Sequence, residues 1–73
     1  MSERTTYLAA PIARRDDGAL LADAAIECSS AEAAVRLAEQ MAREPGHVGA
    51  WAFSRTGYPA IGWYEDAQVL RRF

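Results

Sequence analysis

The chain has no lysine, one histidine and one cysteine among its 73 residues, and each scarcity closes off a class of function. A lone cysteine, Cys28, forms no disulfide within the chain, and with His47 as the only imidazole the usual metal-ligand sets are absent. No apolar run approaches the ~20 residues a helix needs to span a bilayer. The opening residues Met1-Ser2-Glu3-Arg4 lack the charged-then-apolar form of a signal peptide. A net charge of −2 argues against a nucleic-acid footprint. All eight basic residues are arginine and alanine is the commonest residue, a bias that suits a GC-rich bacterial genome. These features predict a cytoplasmic bacterial protein with a reduced thiol, neither membrane-bound nor bound to nucleic acid.

The length fits one domain, 1–73, and bounds its stability. A chain of this size buries roughly 60% of the surface its unfolded form exposes. Small folds add disulfides, metals or self-association to compensate. With the first two unsupported, self-association is the device left.

The pattern along the chain predicts a β-hairpin, a helix and two further strands. Residues 7–13 read as a first strand, and Pro11, which has no N–H, belongs at an edge or a bulge. Asp17-Gly18 between two apolar runs marks a hairpin turn. The next run alternates, with Leu20, Ala22, Ala24, Ile26 and Cys28 on one face, although its composition also suits a helix. Ser29-Ser30-Ala31-Glu32 reads as a capping box with Ser29 at the cap. Ala31, Ala34, Val35, Ala38, Met41 and Ala42 then repeat at helical spacing, widened by Leu37, until Pro45-Gly46 stops the helix. Glu32–Arg36 and Glu39–Arg43 are favourable i,i+4 pairs. Residues 56–62 read as a loop, and the last stretch as a strand in preference to a short helix.

The expected fold is therefore α+β: a small antiparallel sheet of three or four strands with one helix on one face. In the run Val48-Gly49-Ala50-Trp51-Ala52-Phe53, alternation sends both aromatics to one side and the small residues Val48, Ala50 and Ala52 to the other. An alanine-striped helix fits the small side, which leaves the aromatic side uncovered.

Ser30-Ala31-Glu32-Ala33-Ala34, the run from Ala52 through Phe53-Ser54-Arg55-Thr56-Gly57, Glu65-Asp66-Ala67 and Val69-Leu70-Arg71-Arg72-Phe73 carry a resemblance. Together they resemble short uncharacterised proteobacterial proteins that pair a hairpin and a helix with an Ala-Phe-Ser-Arg-Thr-Gly-like strand end. Those relatives carry an acidic residue before the following proline where this chain has Tyr58. The departure speaks against an anion or metal role for the loop. The resemblance implies the α+β fold and brings no activity with it.

Few residues suggest bond-making chemistry. Cys28 and His47 flank opposite ends of the helix, roughly 25 Å apart at ~1.5 Å per residue, too far to form a thiolate pair. Cys28 reads as a small core residue and His47 as a solvated turn residue. Asp16, Asp17, Asp23 and Glu27 lack calcium-loop spacing. Ser54 and Thr56 have no base beside them, and no nucleophile elbow or phosphate fingerprint occurs. Arg55, Arg71 and Arg72 read as solvated side chains.

The aromatic residues say more. Trp51, Phe53, Tyr58, Trp63 and Tyr64 crowd a short stretch, and Tyr7 can join them across strands. Three readings stand: the C-terminal segment buries them, they form a protein interface, or they hold a flat ligand such as a flavin. The interface reading uses Trp51, Phe53, Trp63, Tyr64 and Tyr7, with Arg55 at the rim. It makes the chain a non-enzymatic interaction module without a cofactor, joined as a homodimer or to a larger partner. The alternative is a small carrier of a planar ligand stacked on tryptophans.

Overall fold

Eleven extended residues, Arg4–Arg14, form β1, the axis of the sheet. In this computed structural model, which describes residues 3–73, β1 is paired along both sides. Met1 and Ser2, part of the N-terminal stretch read above, lie outside the described residues. On one side β1 pairs antiparallel with β2 (Leu20–Ala22) and then β3 (Ile26–Cys28). On the other it pairs with β4 (Gly49–Tyr58), from Arg4 opposite Gly57 to Ile12 opposite Gly49. Along its far side β4 carries β5 (Trp63–Tyr64) and β6 (Gln68–Arg72). One helix, α1 (Ala31–Arg43), packs on one face, so the architecture is α+β. The expected three or four strands become six, because each outer lane of a four-lane sheet is broken in two. The final stretch is a strand, and the loop read at residues 56–62 is shorter. There β4 runs on to Tyr58, and a single 3-10 turn, Pro59–Ile61, leads into β5.

The Asp-Gly turn forms as its chemistry requires. Gly18 takes φ 89°. Its N–H donates to the Arg15 carbonyl at 2.9 Å, and the Arg15 N–H donates to the Ala19 carbonyl at 2.8 Å. The Asp17 carboxylate accepts from the Ala19 N–H at 2.9 Å.

Pro11 stands in the central strand and not at an edge, opposite a bulge in its neighbour. The Asp23 N–H donates to the Pro11 carbonyl at 2.9 Å. Both backbone groups of a strand residue point the same way, so the missing N–H of Pro11 faces the break at residues 23–25 and costs no bond of the β1–β4 ladder. That break holds one extra residue. Between the pairs Ile12–Ala22 and Ala9–Ile26, β1 advances three residues and its neighbour four. The even alternation read from Leu20 to Cys28 is thereby corrected: Leu20 and Ala22 face one side of the sheet, Ile26 and Cys28 the other.

The helix cap lies one residue later than its sequence suggests. Ser30 is the cap, and its Oγ accepts from the Ala33 N–H at 3.1 Å. The third helical position is then Ala33, so no reciprocal capping box forms. Glu32 instead meets Arg36 at 3.7 Å on the solvated face, and Glu39 meets Arg43 at 3.0 Å. The seam between helix and sheet is made of small side chains. Ala34, Ala38 and Met41 bury themselves against Ala9, Ala50 and Ala52, with Tyr7, Cys28, Val35, Leu37 and Ala42 around them. Val48, expected on this side, precedes β4 and is exposed. Among the described residues no large side chain is fully buried.

Candidate functional site: the open face of the sheet

Residues paired across strands share a face, so the register fixes what the helix leaves uncovered. Trp51 pairs with Ala10 and Phe53 with Leu8, and all four turn away from the helix-bound Ala9, Ala50 and Ala52. The Trp51 and Phe53 rings lie 4.8 Å apart between centroids, tilted by 36°. Beside them Ile12, Leu20, Ala22, Trp51, Val69 and Arg72 line a shallow hollow of about 260 Å³. The indole Nε1 of Trp51 is buried and has no hydrogen-bond partner among the described residues. A buried donor without an acceptor costs roughly 1–3 kcal/mol, so the ring is held there by its apolar contacts.

The character of this face changes along the strands. Toward Ile12 and Gly49 it is largely apolar, bordered by Arg14 opposite Leu20 and by Arg72 opposite Trp51. Toward Arg4 and Gly57 it is charged: Arg4 meets Glu27 at 3.5 Å, and the Arg55 guanidinium stands 5.8 Å from the centre of the Tyr64 ring. Both side chains of the Arg4–Glu27 pair are largely solvated, which limits its worth to a fraction of a kcal/mol, roughly 0.2–1.

Of the six residues expected to form an interface, four stand on this face: Trp51, Phe53, Arg55 and Tyr64. Trp63 and Tyr7 do not. Trp63 pairs with Tyr58 and turns to the helix side, its ring 5.5 Å from that of Tyr58. Trp63 and Tyr64 are consecutive in a strand, so the pleat sends them to opposite faces. Tyr7 pairs with Ser54 and Cys28 and packs against the alanine core. Tyr64 is also set apart from Phe53, beyond Arg55 at the charged end. The apolar members missing from the expectation are Leu8, Ile12, Leu20 and Val69. The bulge at residues 23–25 and the offset in β6 near Ala52 and Phe53 concealed their common face.

Other candidate groups are engaged in holding the fold. His47 is half-buried and not a solvated turn residue, and its Nδ1 lies 2.8 Å from the Met41 carbonyl at the end of α1. Cys28, at the other end of the helix, is half-buried and points its thiol toward the Ile26 carbonyl at 3.5 Å. The Tyr58 hydroxyl donates to Glu3 Oε2 at 3.1 Å. That bond, with the carboxylate's charge, raises the phenol above its ordinary 10.0. Among the described residues no group of three or more His, Cys, Asp or Glu side chains is placed to hold a metal ion. No helix among the described residues is long and apolar enough to cross a membrane.

Comparison with protein-family models, with curated proteins and with solved structures found no match to this chain.

Proposed function

We propose that the chain is a non-enzymatic interaction module of the bacterial cytoplasm that associates through the open sheet face, by default with a second copy of itself. One observation carries this reading: Trp51, Phe53, Leu8, Ile12, Leu20 and Val69 stand together on the side the helix does not cover. Trp51, Phe53, Leu8 and Ile12 are only half-buried, while Leu20 and Val69 are 58% and 51% exposed. A continuous apolar patch of this kind on a small domain marks a contact surface. Closing it against a partner supplies burial that the alanine seam does not.

The test is solution mass by light scattering across a hundredfold dilution, on the native chain and on Trp51→Ala. The native chain is expected to be larger than a monomer, and the variant to lose at least about 2 kcal/mol of association free energy, as a central aromatic anchor does. A native chain that stays monomeric, with no partner recovered on an immobilised sample, overturns the reading.

The unpartnered Trp51 Nε1 beside the hollow favours a second reading, a carrier of a planar ligand such as a flavin. Two features weigh against it. The hollow of about 260 Å³ falls below the ~300–1,000 Å³ of typical small-molecule sites. Trp51 and Trp63 also stand on opposite faces, so one chain cannot clasp a ring between its tryptophans. Quenching of tryptophan fluorescence by added riboflavin at micromolar concentration would reverse the ranking.

A further inference from the structure

The open face has the dimensions and the charge layout of one half of a two-sheet sandwich, and the layout selects a single orientation for the other half. Four lanes about 4.8 Å apart and an 11-residue central strand give a footprint of roughly 700 Å². A standard interface covers about 800 Å² on each partner. The apolar end alone supplies little more than half of that, so a stable pair must overlap along the full length of the strands. Crossing the sheets at right angles would leave only about a square of side 19 Å in contact, which excludes the orthogonal packing.

For two stacked faces a two-fold axis lies in the plane between them, and aligned packing leaves two choices. With the axis across the strands, the apolar end of each copy would lie on the charged end of the other. The β6 lane would then cover its own counterpart, bringing Arg72 toward Arg72. With the axis along the strands, every row lies over the same row of the partner, apolar on apolar and polar on polar. The outer lanes then exchange, so that the lane of β2 and β3 covers β6. The charges of those two lanes are opposite. On the open face the lane of β2 and β3 carries Glu27 and the β6 lane carries Arg72, while Arg71 pairs with Ala52 and turns to the helix side. The acids Glu65 and Asp66 lie in the break between β5 and β6, toward the Gly57 end.

The rows can be read from the register. Glu27, Leu8, Phe53 and Val69 form one row across all four lanes. Ala10, Trp51 and Arg72 form the next. Resting on the self-association reading above, we infer that the occupant of the open face is a second copy of this chain, related by a two-fold axis along β1 and β4. Glu27 of each copy stands over Val69 of the other, one row from Arg72, which has no ion-pair partner within the described residues of its own chain. The layout gives two apolar ends a common core around Trp51 and Ile12, and it repeats the Glu27–Arg72 attraction twice about the axis. Long-range charge sets the orientation while apolar contact supplies the affinity.

Cross-linking separates this arrangement from its competitors. In a Cys28→Ser background, Glu27→Cys and Val69→Cys chains are prepared singly, mixed, and treated with a short bis-maleimide. Links between a Glu27→Cys chain and a Val69→Cys chain, with few between two Val69→Cys chains, are the expected result. Links dominated by Val69→Cys pairs place the axis across the strands and overturn the orientation, while self-association through the face survives. A dimeric mass with neither link puts the contact elsewhere and overturns both. A monomeric mass at every concentration also removes both.

Charge reversal gives a second test that does not depend on cysteine chemistry. Glu27→Arg and Arg72→Glu are each expected to weaken the dimer about tenfold, and the double variant to recover most of that loss. Additive losses in the double variant would overturn the Glu27–Arg72 pairing. Circular dichroism of each variant establishes that its monomer is folded.

Discussion

The ring of Tyr64 occupies the space in which a side chain at position 57 would stand, with its Cγ 3.0 Å from an ideal Cβ there. β5 is only two residues long, and this close approach of ring to backbone adds to its ladder pairing with β4. Gly57→Ala should displace the ring, loosen β5 and end the contact between Tyr64 and Arg55, at a cost of about 1–3 kcal/mol. Urea denaturation at a fixed protein concentration measures it. A loss below about 0.5 kcal/mol, the range of surface substitutions, would show that the ring moves aside freely.

Glu3 favours the neutral form of Tyr58, because the phenol donates to the carboxylate and the phenolate would face its charge. The folded chain therefore holds this proton above the ordinary 10.0 of an unfolded tyrosine. Its stabilising contribution is full below about that pH and disappears as the pH rises through the raised value. Glu3→Gln should return Tyr58 to an earlier titration and flatten the alkaline limb of stability. Phenolate absorbance during a pH titration follows the first effect, and a titration unchanged in the variant would assign the shift to another cause.

Met41 ends the buried stripe of α1, and its carbonyl receives both the Glu44 N–H at 3.2 Å and the His47 ring at 2.8 Å. The imidazole thus closes the helix that proline and glycine then turn away. His47→Ala should cost about 1 kcal/mol by removing that bond, with hydrogen exchange speeding up first in the last turn of α1. Unchanged protection there would mean that the ring only covers the helix end.

Pro11 and Ile12 are neighbours in the central strand with opposite backbone directions. The Ile12 carbonyl accepts from the Val48 N–H at 2.8 Å, so its polar groups face β4, while those of Pro11 face the break in the other lane. Pro11→Ala should change stability by less than about 1 kcal/mol, whereas Ile12→Pro should cost about 2 kcal/mol or more through the lost ladder bond. Thermal melts of the two variants at matched concentration distinguish the positions. Equal effects would mean that the direction of the missing N–H does not matter.

The helix, the Asp-Gly hairpin and the small face of β4 were legible in the sequence because each depends on spacing within one segment. Ala34, Ala38 and Met41 keep their period whatever surrounds them, and Gly18 sits where its turn needs positive φ. What escaped depends on pairing between segments. The extra residue at positions 23–25 is visible only against Pro11 in the next strand, and it moves Ile26 and Cys28 to the helix side. The same applies to the aromatic cluster. Trp51 and Phe53 could be placed together from their spacing, but the side taken by Trp63 and Tyr7 is decided by the partners Tyr58 and Ser54. The cap at Ser30 was missed by one residue because two adjacent serines offer the same hydroxyl.

The alanine seam has a thermodynamic consequence. Docking α1 onto Ala9, Ala50 and Ala52 removes little hydrocarbon from water, so melting a lone chain should release a small heat-capacity increment for its length. Under the proposed association, the meeting of two open faces adds an increment of its own to the melting of the pair. The melting temperature then becomes a function of how much protein is in the tube as well as of its sequence.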